Sequence, residues 1–215
     1  MSLISFQQAL KALGYNPGPV DGLWGGKTER ATRDLLQAKG AQGPLRVPPL
    51  TTLPMAAQVV GDMIYQGAAR YLVDEIVVHC SDTRPEWMQT RTFKARFAEL
   101  RRWHMQDRGW KDIGYHWVID RDGEVMPGRA ETTIGAGVLG HNNGVIHICL
   151  LGGFGSAGTD QFAEHFTAEQ ARCVLSLIAN IAGRTWITRI SGHNEWAARA
   201  CPGFYVPAWL KEQAA

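Results

Sequence analysis

The residues with most chemistry to offer are two histidines and a cysteine. His79 closes the apolar run "VDEIVVHC", His193 closes "WITRISGH", and Cys201 follows eight positions later in "SGHNEWAARACPGF". Two imidazoles and a thiolate form a nitrogen and sulfur donor set suited to zinc. Three protein donors with a fourth position open are the pattern of a catalytic rather than a structural site. Spacing sets a condition on this reading. A straight helix would hold residues eight apart ~12 Å from each other, whereas ligands of one ion lie ~2.0–2.3 Å from it. The chain must therefore fold back between His193 and Cys201, and Pro202-Gly203 suits a turn there. Spacing alone favours a plainer reading, in which His79 is a satisfied strand-end histidine and Cys201 a small buried hydrophobe.

Two other stretches invite chemistry. "GAGVLG" at 135–140 matches the glycine spacing of a dinucleotide site, but no strand clearly precedes it and "HNNG" stands where a helix should start. It reads as a loop bordering a cleft. Residues 91–111 carry seven basic and two acidic side chains. They could meet an anionic polymer or form a solvated helix face.

Several elements must position these residues. "VDEIVVHC", "GVIHICLLGGF" and "WITRISGH" read as strands, and "YHWVIDRDGEVMPG" as a hairpin with an Asp-Gly turn. "RTFKARFAELRRWHMQDRG" is a helix with Phe93, Phe97, Leu100 and His104 on one stripe. "TAEQARCVLSLIANIAG" is a helix with a Thr167/Gln170 capping box, and "VPAWLKEQ" a short helix near the end. Functional side chains gather at strand ends in such sheets. Strands alternating with helices, plus one antiparallel hairpin, predict an α/β fold with a mixed sheet covered by helices.

Ahead of this body, residues 41–54 hold four of the ten prolines and read as a linker. The first forty residues predict a small helical unit. Ile4, Leu10, Leu13, Ala9 and Ala12 fall near one helix face, and a Gly/Pro-rich loop follows. Thr28 is the expected N-cap of a second helix, and Gly40 its stop. The predicted division is 1–40, 41–54 and 55–215.

Bulk properties exclude more than they identify. The 215 residues have net charge +2, which gives no signal for nucleic acid. No apolar run approaches the ~20 residues of a bilayer span. "MSLISFQQALKALGY" lacks the basic start and apolar run of a signal peptide. Cytoplasmic synthesis with reduced thiols is expected. Four dispersed cysteines are no disulfide framework, although a bridge among Cys80, Cys149 and Cys173 stays open.

"IVVHCSDT", "RRWHMQDRGWKDIGYHWVIDRDGEVMPGR", "ICLLGGF" and "GHNEWAARACPGF" together resemble, in order and spacing, the type 2 N-acetylmuramoyl-L-alanine amidases. These share a fold with phage lysozymes of the amidase kind and with peptidoglycan recognition proteins. The likeness covers about residues 72–210. "VDGLWGGKTERAT" resembles the core of small helical peptidoglycan-binding domains. The resemblance implies zinc held by His79, His193 and Cys201, with Tyr115 as catalytic tyrosine. It implies hydrolysis of the bond between N-acetylmuramic acid and L-alanine of peptidoglycan. An endolysin is the expected role: a monomer kept in the cytoplasm until lysis, inserting in no membrane and binding no nucleic acid.

Three departures stand against the family pattern. Arg199 occupies the place of a lysine, so charge stabilisation is possible there and proton donation is not. Gly137 stands where relatives often have histidine, and His147 where they have glycine. His147 could replace the missing loop side chain, but the expectation is a packed strand residue. His104 and His116 are expected to pack and hydrogen-bond, and His141 and His165 to lie in loops. Glu195 has no direction the sequence reveals. The alternative function is a zinc-containing peptidoglycan-binding protein without catalysis.

Overall fold

The computed structural model describes residues 3–20, 26–38 and 63–213. Helices α1 (Leu3–Ala12) and α2 (Gly26–Ala38) pack against each other, with Leu10 and Ala31 buried. Thr28 does not cap α2. It lies within the helix, where its hydroxyl donates to the Pro17 carbonyl (3.0 Å) and accepts from Gln7 Nε2 (3.1 Å). A hydroxyl that ties the loop to α1 in this way is buried and so unavailable as a cap. Leu13 also departs from expectation, because α1 ends at Ala12 and Leu13 is 60% exposed. The side chains of Ile4 and Ala9, the middle of the Gly/Pro loop, Gly40 and the 41–54 linker lie outside the described residues. Lys27 Nζ meets Glu124 of the body at 2.6 Å.

The body opens with a two-stranded hairpin missing from the sequence reading, β1 (Tyr65–Gln66) and β2 (Tyr71–Leu72). Strand β3 (Glu75–Cys80) follows, every residue buried. Thr92 caps α3 (Phe93–Arg102) by accepting from the Ala95 amide at 3.3 Å. The helix then widens into a π-helical turn, Trp103–Asp107. Phe93, Leu100 and His104 are buried, as the stripe predicts, and Phe97 is half-buried.

Strands β4 (Trp117–Ile119) and β5 (Val125–Pro127) form the expected antiparallel hairpin, with Gly123 at φ 79° in its turn. Positive φ favours a residue without Cβ. Strand β6 (Val145–Leu150) is wholly buried. A short helix α4 (Phe162–His165) precedes α5 (Ala168–Ala182), and the Thr167/Gln170 capping box is present. Strand β7 (Arg189–Gly192) is shorter than predicted, and α6 (Val206–Gln213) follows the expected segment.

The sheet runs β5-β4-β6-β3-β7, parallel except for β4–β5. This is the mixed sheet with helices that the sequence predicts. Strands buried on both faces explain why β3 and β6 read as near-continuous apolar runs. Ile76, Val78, Ile146 and Ile148 pack one face with Val174, Leu177 and Ile178 of α5. The opposite face holds Val77, Cys149, Val118 and Leu151 with α3 and the 135–141 loop. His79 and His147 stand on this second face.

Candidate metal centre

Alternation along the strands decides which side chains meet. His79 pairs in register with Cys149, and Val77 with His147 on one side and Ser191 on the other. Side chains two apart share a face, so His79 and His147 point the same way. The 3-10 turn His193–Glu195 begins where β7 ends, two residues after Ser191. His193 thus reaches the carboxyl end of β3, its ring 4.8 Å from that of His79.

The fold-back required of the His193–Cys201 segment is present. The amides of Trp196 and Ala197 bond the His193 carbonyl, and the Gly203 amide bonds that of Ala200 at 2.7 Å. Asn194, which the sequence did not flag, donates to the carbonyls of Gly158 and Phe204, both at 3.1 Å. Cys201 Sγ accepts from the Cys80 amide (3.2 Å) and lies 3.9 Å from His79 Nδ1. One ligand atom from each of His79, His193 and Cys201 lies within 4.8 Å of the others.

The electrostatics suit a cation. Burial, with His193 next, holds the His79 ring well below its ordinary pKa. Burial and then Arg199 lower His193. Both rings are therefore neutral, the form that binds metal. The neighbouring Cys80 thiol and burial push the Cys201 thiol well up, and a cation beside it would favour its thiolate. The donor set therefore fits a metal ion, and its N, N, S character points toward zinc among common ions.

The other predicted residues surround this cluster. The Tyr115 ring lies 5.1 Å from His79, and burial raises its pKa well above the usual value. It is a neutral phenol. Arg199 is exposed, and its guanidinium has no hydrogen-bond or ion-pair partner among the described residues. Glu195 is committed elsewhere, accepting from the Gly192 amide at 2.7 Å and facing Arg189 at 3.4 Å. A carboxylate capping its own turn is no general base.

His104 stacks on Trp110 and accepts from the Gly114 amide at 3.2 Å, and burial lowers its pKa to about 4. His116 Nδ1 accepts from the His147 amide (2.9 Å) and its Nε2 meets the Thr133 carbonyl, again with a pKa of about 4 from burial. Both play the packing roles expected. His141 lies in the 135–141 loop, stacked on Trp196. His165 does not lie in a loop. It ends α4 and pairs with Asp160 at 2.8 Å. Residues 135–140 form a loop with no helix after them. No disulfide joins any of Cys80, Cys149, Cys173 and Cys201. In the basic stretch, Arg96, Arg101 and Arg102 are paired with Asp120, Asp112 and Glu99.

Fold and site together define a class, an α/β protein with three nitrogen and sulfur donors at the carboxyl edge of a mixed sheet. The N-acetylmuramoyl-L-alanine amidase family matches residues 69–204, and a peptidoglycan binding domain family matches residues 2–40. The chain belongs to the N-acetylmuramoyl-L-alanine amidase family. It is 36% identical over 143 residues to the endolysin of Escherichia phage T7, covering 66% of this chain and 89% of that protein. It is 30% identical over 113 residues to the human N-acetylmuramoyl-L-alanine amidase, covering 51% of this chain and 18% of that one. In fold it resembles bumblebee PGRP-SA, with TM-score 0.55, 22% identity, and coverage of 70% and 86% of the two chains. It also resembles the amidase LysC from Clostridium intestinale, with TM-score 0.51, 22% identity, and coverage of 65% and 83%. Among the described residues, no helix is long and apolar enough to cross a membrane.

Proposed function

We propose that this protein uses zinc to hydrolyse the amide bond between N-acetylmuramic acid and L-alanine in peptidoglycan, as an endolysin. The observation that carries the zinc reading is the convergence of His79, His193 and Cys201. Zinc held there supplies a Lewis acid and a hydroxide nucleophile near neutral pH.

The protein's own groups do the rest. His79 and His193 bind as neutral rings, and Cys201 must give up its proton to bind. Tyr115, half-buried and un-ionised, can donate its O–H to the oxygen of the carbonyl under attack. Arg199, unpaired and exposed beside His193, can meet negative charge as it develops on that oxygen. Arginine cannot act as the proton donor, so the leaving amine takes its proton from another source.

Residues 1–40 form the wall-binding unit in this reading, 41–54 the tether and 55–215 the catalytic domain. A tether raises the local concentration of wall at the site. Storage in the cytoplasm until lysis, and action as a monomer, complete the proposal.

Isolated peptidoglycan incubated with the protein, with and without a chelator, tests it. Stem peptides beginning at L-alanine should appear in the mass spectrum and vanish on chelation. Co-sedimentation with the wall, with zinc bound and no peptide released, would leave a binding protein.

A further inference from the structure

His147 holds the ring of His79. Its Nδ1 lies 3.0 Å from His79 Nε2, with both residues fully buried. His79 Nδ1 is the atom that faces Cys201. An imidazole that gives one nitrogen to a cation carries its proton on the other. If Nδ1 takes the cation, Nε2–H must find an acceptor, and His147 Nδ1 is placed to be it. The opposite arrangement, with His147 donating, would put the His79 proton on Nδ1 and block the ligand atom.

Two further observations show that this contact is built rather than incidental. His147 Nε2 is buried with no hydrogen-bond partner among the described residues. A side chain present only to fill the sheet face would be apolar and would avoid that cost. The loop above the contact is also cut to fit it. A Cβ at Gly137 would stand 2.6 Å from His147 Nδ1 and 2.9 Å from His79 Nε2, and one at Gly135 would overlap His147 Cδ2. Neither glycine has positive φ, so space rather than backbone conformation demands them. Bare backbone roofs the His79–His147 hydrogen bond and keeps water from competing for it.

We propose that His147 is the positioning residue for His79. It accepts the His79 Nε2 proton, so that Nδ1 is deprotonated and aimed at the site shared with His193 and Cys201. Gly135 and Gly137 are the space this second imidazole needs. The inference rests on the zinc reading above. Loss of such an outer partner weakens metal binding by about 10–100-fold.

The test measures zinc affinity of the full chain by competition with a chromophoric chelator, together with the thermal melt of each metal-free variant. His147→Leu removes the acceptor and should weaken zinc binding by about 10–100-fold. His147→Asn, similar in size, can return an acceptor oxygen near the Nδ1 position and should recover most of that loss. Equal affinity in wild type and His147→Leu, or equal loss in both variants, overturns the proposal. Should His147→Leu fail to fold, Gly137→Ala is measured alone and with His147→Ala. Its effect on affinity should be large in the presence of His147 and small in its absence, and simple additivity overturns the proposal. A wild-type chain that binds no zinc would instead sink the zinc reading itself.

Discussion

At one end of β3 stands Glu75 and near the other His79, and the two are served in opposite ways. Glu75 Oε1 accepts from Ser191 Oγ (2.6 Å) and Trp196 Nε1 (3.0 Å), and its Oε2 meets His141 Nε2 at 2.7 Å. Arg189 lies 3.7 Å from the carboxylate and stacks over Trp196. Every charge and donor there finds its complement inside the protein. At the His79 end, Nε2 meets the His147 imidazole and Nδ1 faces the Cys201 thiol, neither of which supplies positive charge. A polar cluster that satisfies itself is architecture. One whose ligand atoms converge without a positive charge calls for something from outside.

The comparison breaks most sharply at Cys201. Cys201→Ser should lose stoichiometric zinc and cost activity more than the about 100-fold expected for an outer partner. Metal analysis of the purified variant alongside wall digestion checks this, and retained zinc with full activity would remove Cys201 from the ligand set. A smaller effect is expected at the rim. Arg199→Ala should lower kcat by up to about 100-fold, the lower range for loss of one oxyanion donor. Arg199→Lys should recover most of it, because only charge is required. Steady-state kinetics on a soluble muropeptide would separate this from a change confined to KM.

The Glu75 end should answer in stability. Glu75→Ala leaves the Ser191 hydroxyl without its acceptor and the Trp196 indole with the Ser191 oxygen alone, at a cost of about 1–3 kcal/mol. Zinc stoichiometry should be unchanged. Chemical denaturation and metal analysis together test the contrast, and loss of zinc without loss of stability would reverse it. The mildest perturbation is pH. His104 and His116 titrate at about 4 in the folded protein against 6.5 for an ordinary histidine. Between those values the unfolded chain binds protons that the folded chain refuses, so stability rises with pH across this window. It is lost as pH falls from about 6.5 toward 4. Calorimetry of the metal-free protein should show Tm dropping over that range, and a flat Tm would contradict the buried neutral state of both rings.

How far the sequence led depended on the range of the interaction involved. Strands β3 and β6 and the α5 capping box were legible, because apolar runs and a Thr-x-x-Gln cap are local signals. The sheet order was not, since it needs the pairing of residues as distant as Val77 and Ser191. The convergence of His79, His193 and Cys201 came from the family resemblance, and eight-residue spacing alone argued against it. His147 was expected merely to pack. Its contact with His79 depends on β3–β6 register, which no local pattern encodes. Thr28 misled because a hydroxyl before a helix reads as a cap unless the loop it bonds instead is known. The π-helical turn at Trp103–Asp107 has no distinct period, and the two-residue strands β1 and β2 are too short to show one.

The order of the three candidate ligands along the chain has a consequence in time. His79 leaves the ribosome more than a hundred residues before His193 and Cys201. Until those arrive, β7 is absent and β3 has an unpaired edge. Contacts of such long range form late, so an ion held by all three would be a final fastener rather than a seed. A nascent or half-folded chain would then be inert toward the bond it is built to cut, and hydrolytic power would arrive only with a finished topology.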